Sequence, residues 1–131
     1  MNFELSEEQK LVRSSVRQFA EREIKPLAKE LDEKAEFSIE LTKKMGELGL
    51  FGMYLPEKYG GQNTDTLSYI IAVEELARVD GSHAATLAAH NSLGIGPIYY
   101  YGTEEQKQKY LQKLCTGDKL WAFGLTEPEA G

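Results

Sequence analysis

The sequence predicts a mainly α-helical, up-and-down bundle that ends in the first strand of a truncated β-domain, and three observations carry this reading. Apolar residues recur at three- and four-residue steps from Leu11 to Leu114. Capping residues and glycines punctuate those stretches at helix-length intervals. From Lys119 the apolar period changes to two, which is strand spacing. The expected division is a helical domain over residues 1–118 and the start of a β-domain over residues 119–131.

Each element follows in order. Ser6 before Glu7, Glu8 and Gln9 reads as a capping box with acidic groups in the first turn, where they complement the helix dipole. Leu11, Val12, Val16, Phe19, Ala20 and Ile24 then form one apolar stripe, with Arg13, Arg17, Glu21 and Lys25 largely off it. Pro26 bends or restarts this helix, which runs to about Lys34. Ser38 caps a second helix with a narrow face of Leu41, Met45 and Leu48, and Gly49 suits the left-handed residue that ends it. Residues 50–63 carry Gly52, Pro56, Gly60 and Gly61 among bulky apolar groups, which predicts a packed connection rather than a linker.

Thr64 or Thr66 opens the next helix, where Leu67, Ile70, Ile71, Val73, Leu76 and Ala77 cover more than half the circumference. That places it in the middle of the bundle. Glu74 and Glu75 point in different directions, so they do not form an acid–base pair; one is expected in solvent and the other against a lysine or arginine. After the break at Asp80-Gly81-Ser82, Ser82 caps a helix of small residues through His90. Gly94, Gly96 and Pro97 predict a kink or break before Tyr99, Tyr100 and Tyr101. Thr103 and Gln106 form a second capping box, Tyr110, Leu111 and Leu114 share one side, and Gly117 is the stop. Residues 119–126 alternate as a strand packed on both faces would, without a partner strand in this chain.

Composition excludes several functions. The formal net charge is -6 and no basic run offsets it, so nucleic acid is not expected as a partner. Cys115 is the single cysteine, with no paired-cysteine metal spacing and no evident base beside it, so it reads as inert in a reducing, cytoplasmic compartment. The first residues are acidic rather than leader-like, and no apolar run is long enough to span a bilayer. His83 and His90 share a helix face without an acidic or thiol ligand at metal spacing, so no metal site is expected. Tyr99, Tyr100, Tyr101 and Trp121 read as core or interface rather than cofactor-stacking rings.

Four segments in order carry a family resemblance: Lys58-Tyr59-Gly60-Gly61, Glu74-Glu75-Leu76-Ala77, Tyr101-Gly102-Thr103-Glu104-Glu105-Gln106-Lys107 and the final Gly124-Leu125-Thr126-Glu127-Pro128-Glu129-Ala130-Gly131. Together they resemble the amino-terminal part of an acyl-CoA dehydrogenase, most like the short-chain or butyryl-CoA members. The resemblance implies FAD, a short-chain acyl-CoA substrate, an electron-transferring flavoprotein as acceptor and a homo-oligomer, a tetramer in the family. It also implies that the catalytic glutamate lies in a carboxy-terminal domain, so this chain holds no catalytic residue and is expected to be inactive alone.

By that resemblance the cofactor-binding positions are Phe123, Leu125, Thr126 and Gly131. An extended backbone there can aim amide groups at the flavin's pyrimidine edge, with Pro128 fixing the turn and small residues admitting the phosphates. Thr86, Ala89, His90 and Leu93 fall on the helix that lines the acyl pocket. Small side chains along that helix serve either a slender aliphatic tail or simply tight helix packing. A different class of reading is a stand-alone helical interaction module that binds through an exposed apolar face.

Overall fold

The computed structural model of the chain describes residues 3–130. Seven α-helices lie in this span: α1 (Glu7–Phe19), α2 (Lys25–Lys34), α3 (Ile39–Glu47), α4 (Thr66–Ala77), α5 (Gly81–Ala89), α6 (Gly96–Tyr101) and α7 (Glu104–Cys115). α1 packs along α4 and α4 along α5, while α6 and α7 close the far side. The core runs between them through Val16, Ile24, Met45, Phe51, Leu55, Leu76, Leu87, Ile95 and Leu111. Phe51 and Leu55 come from the packed connection, which therefore fills the bundle instead of looping away from it.

Both prolines expected to bend or break helices are accommodated by winding. A π-helical turn at Ala20–Ile24 leads into α2 and Pro26, and another at His90–Ile95 leads into α6 and Pro97. A proline lacks the N–H of the ordinary ladder and crowds the carbonyl four residues back, and a locally wider turn relieves both. The chain thus stays helical from Glu7 to Lys34 and from Gly81 to Tyr101, with Tyr99, Tyr100 and Tyr101 inside α6.

The capping boxes at Ser6 and Thr103 form in both directions, and Ser38 caps α3. Two expected caps are corrected. Asp65, not Thr64 or Thr66, caps α4 by accepting the Ser68 N–H at 2.6 Å, and Asp80, not Ser82, caps α5 by accepting the His83 N–H at 3.0 Å. In each case a carboxylate lies in reach, and an anion at a helix N-terminus is a stronger acceptor than a hydroxyl. Thr64 donates instead to the Met53 carbonyl at 2.8 Å.

α4 is less enclosed than its sequence suggests: Leu67 and Ile70 are 48% and 51% exposed, while Tyr69, Ile71, Ala72, Glu75 and Leu76 turn inward. The two glutamates divide as expected. Glu74 is solvated beside Arg13, whereas Glu75 is only 2% exposed and accepts two 2.8 Å hydrogen bonds from the Arg17 guanidinium, with Arg13 and Arg78 each at 3.5 Å. The Arg17 hydrogen bonds hold the Glu75 carboxyl below its ordinary value of 4.5. A lowered folded-state value makes the pair's contribution complete above the unfolded value and lost as pH falls through the folded one. Glu75→Gln is therefore expected to lower the thermal midpoint near neutrality and to flatten its decline in acid, as melting curves by circular dichroism across pH would show.

The expected strand does not form. Residues 119–126 take no regular structure, and among the described residues the single β-pairing is an isolated antiparallel bridge between Glu127 and Ala130, closed by a 2.7 Å and a 3.2 Å hydrogen bond. Far from being packed on both faces, Trp121, Phe123 and Leu125 are 42%, 53% and 75% exposed. A ladder needs a neighbouring strand, and these residues have none.

Candidate functional site

The outer face of α5 and the π-helical turn after it present Thr86, Ala89, His90 and Leu93 at steps of three, one and three residues, which places them along one side. Residues 120–123 pass over this side, and Phe37 reaches it from the turn between α2 and α3. Together Thr86, Ala89, His90, Leu93, Phe37, Leu120, Trp121, Ala122 and Phe123 line a cleft of about 340 Å³. All four residues expected to line an acyl pocket meet there, with Phe123 from the expected cofactor stretch. Leu125 and Thr126 lie further along the segment and outside the cleft, and Gly131 lies outside the described residues.

The cleft is poor in free polar groups. The Thr86 hydroxyl already donates to the Ser82 carbonyl at 3.0 Å. His90 is buried, its ring set edge-on to Phe51 with centroids 4.5 Å apart. Its Nε2 bonds the Leu114 carbonyl at 2.9 Å and its Nδ1 accepts the Trp121 N–H at 3.3 Å. A carbonyl can only accept and an amide can only donate, so the proton sits on Nε2. Burial lowers the imidazole's pKa, which keeps it neutral. Among the described residues no side-chain carboxylate lines the cleft.

The expected cofactor stretch differs in character. Among the described residues the backbone N–H groups of Phe123, Leu125 and Thr126 make no hydrogen bond, and all three residues are exposed. Free amides followed by the tight turn at Pro128 and Glu129 suit the carbonyl and ring-nitrogen edge of a flavin. The residues present therefore fit the group that the sequence implies.

Phe37, Leu120 and Trp121 were not legible as walls of this site. Phe37 sits between two helices far along the chain from the others, and its half-exposed side chain has no periodic pattern around it. A second cleft of about 330 Å³ shares Phe37 and Thr86 and continues past Leu31 to His83, whose Nδ1 pairs with Asp80. Among the described residues no group of three or more histidine, cysteine or acidic side chains could hold a metal. Cys115 is buried beneath Gly52, and burial pushes its thiol up to about 11, which makes it a poor nucleophile.

Comparison with known proteins assigns this architecture. Residues 6–118 match the family model described as acyl-CoA dehydrogenase, N-terminal domain, and the chain belongs to that family. It is 54% identical to the short-chain specific acyl-CoA dehydrogenase of Clostridium acetobutylicum over 131 residues, covering all of this chain and 35% of that protein. A chain in a structure on the electron transferring flavoprotein of Acidaminococcus fermentans superimposes with a TM-score of 0.96 at 48% identity, over 100% of this chain and 34% of that one. An acyl-CoA dehydrogenase from Bacillus anthracis in complex with FAD gives a TM-score of 0.90 at 42% identity, over 98% of this chain and 22% of that one. The chain thus spans about a third of the length of the curated relatives it matches. No helix among the described residues is long and apolar enough to cross a membrane.

Proposed function

We propose that this chain is the helical wall of an FAD-dependent acyl-CoA dehydrogenase that acts on a short-chain acyl thioester. The supporting observation is the cleft itself, which joins Thr86, Ala89, His90 and Leu93 to Phe123 in one apolar space. Such a cleft excludes water and holds a slender aliphatic tail, and the free amides at Phe123, Leu125 and Thr126 offer donors to a flavin edge beside it. FAD, when bound, supplies the hydride acceptor for α,β-dehydrogenation. The residues here bind and orient; they do not remove the proton.

That division follows from the side chains present. His90 is neutral, but both of its nitrogens are engaged by backbone, and among the described residues no side-chain carboxylate lines the cleft, so none of the lining residues abstracts an α-proton. The base comes from outside these residues, and the chain alone is inactive. Residues 1–118 are the helical domain and residues 119–131 open the β-domain, a reading supported by the irregular, unpaired backbone of residues 120–126. Electrons pass to an electron-transferring flavoprotein, the enzyme works in the cytoplasm, and it assembles as a homo-oligomer, a tetramer by family resemblance. Exposed Leu67, Ile70, Tyr100 and Tyr101 support further apolar contacts.

The test is a graft. Residues 1–131 replace the corresponding first third of the Clostridium acetobutylicum relative, and the purified protein is assayed with butyryl-CoA and an artificial dye acceptor. The graft is expected to be yellow and to turn over, and the 131-residue chain alone to do neither. A folded graft without flavin would remove the cofactor assignment.

A further inference from the structure

We infer that His90 is a positioning residue: its neutral imidazole ties the end of α7 to the Trp121 amide and sets where residues 123–126 leave the helical domain. The inference rests on reading that stretch as flavin-facing. Its geometry does not.

Residues 120–126 are almost untethered. Their backbone makes one hydrogen bond among the described residues, from the Trp121 N–H to His90 Nδ1 at 3.3 Å. The preceding anchor is the Lys119 N–H on the Lys113 carbonyl at 3.1 Å, and the Glu127–Ala130 bridge that follows closes the terminal turn on itself. Between these points the path of the chain is set by whatever holds Trp121. The indole meets the Tyr110 ring edge-on at 5.4 Å, and Trp121 presses against Gly94, where an added Cβ would lie 3.1 Å from the Trp121 Cβ and 3.3 Å from its carbonyl.

His90 is built to serve as the acceptor. It begins the π-helical turn, is 3% exposed, and is held by the edge-on contact with Phe51 and by the Leu114 carbonyl at Nε2. The Leu114 bond forces the proton onto Nε2, which leaves Nδ1 bare and aimed at Trp121. A side chain without an acceptor at this point would leave the Trp121 amide to water and free Ala122, the one residue that separates it from Phe123. The ring thereby lines the acyl cleft and steers the cofactor segment at once.

The experiment uses the 131-residue chain and does not need flavin. Long-range proton–nitrogen NMR of the unsubstituted protein is expected to show His90 protonated at Nε2 and bare at Nδ1, with the Trp121 amide exchanging more slowly than those of Leu120 and Ala122. In His90→Leu, exchange at Trp121 is expected to rise about tenfold or more, as loss of one hydrogen bond implies, with shifts at Phe123, Leu125 and Thr126. Amides of α1 and α4 stay as they were. His90→Gln, which carries both a donor and an acceptor, keeps the slow exchange. Gly94→Ala crowds Trp121 and meets His90 Nδ1 only at an ordinary contact distance of 3.7 Å, and it serves if His90→Leu does not fold; it is expected to shift Phe123 while leaving the His90 tautomer unchanged. A ring protonated at Nδ1, or a folded His90→Leu with unaltered Trp121 exchange, would overturn the inference. A colourless graft would overturn the flavin reading and leave the His90 result standing.

Discussion

Asn91→Leu is expected to destabilise the chain by about 3–5 kcal/mol, the largest effect of any single side chain in the connection-to-helix packing. Asn91 is fully buried; its Oδ1 accepts the Gly52 N–H at 2.6 Å, and its Nδ2 donates to the Leu50 and Leu87 carbonyls at 3.0 and 3.1 Å. Leucine matches the volume but neither donates nor accepts. The Gly52 N–H and the Leu50 carbonyl would then stay buried without a partner, each costing about 1–3 kcal/mol. The connection cannot easily swing away, because Gly52 sits at φ +67 against Cys115 and Phe51 is locked into the core. Small domains are stable by only about 5–15 kcal/mol, so urea unfolding followed by circular dichroism should register a large drop. Ser92→Ala, which removes an exposed hydroxyl bonded to the Ala88 carbonyl, should change stability by less than about 0.5 kcal/mol.

The second large effect concerns activity. Ala89→Trp, placed in the graft described above, is expected to lower kcat/KM for butyryl-CoA on the order of a hundredfold, equivalent to about 2.7 kcal/mol. Ala89 is exposed on α5 and lines the cleft, so an indole there fills space a ligand would use without opening the core. Flavin content should stay unchanged, because the substitution lies on the opposite wall from the free amides. Steady-state kinetics beside the visible spectrum separate the two: a rate within twofold of the parent graft would show that the acyl chain lies elsewhere.

Local signals in the sequence were read reliably where one short-range interaction decides the outcome. Ser6, Ser38 and Thr103 cap helices as their spacing suggests, and Gly49 and Gly117 take φ +77 and +78 at helix ends. Competition between neighbours was harder to see: Asp65 and Asp80 displace the hydroxyls beside them because the carboxylate is the better acceptor. The π-helical turns before Pro26 and Pro97 have no composition of their own, since they arise from relieving a proline within an otherwise continuous helix. The strand over residues 119–126 failed to appear because pairing depends on residues other than its own.

The site divides the same way. Thr86, Ala89, His90 and Leu93 share a helix face, so their joint placement follows from spacing once the helix is known. Phe37 and Trp121 meet them only through tertiary packing, which no local period encodes. His90 was expected, by the family resemblance, on the helix that lines the acyl pocket; both its nitrogens face backbone and only the ring remains for the cleft. Its environment, rather than its residue type, decides what it does.

The proposed acyl and flavin wall is tested most directly by anaerobic mixing of the graft with butyryl-CoA while the flavin absorbance is followed. The yellow band is expected to bleach in a single turnover as the substrate reduces the cofactor. A graft that holds FAD, folds normally and stays fully oxidised with excess butyryl-CoA would contradict it.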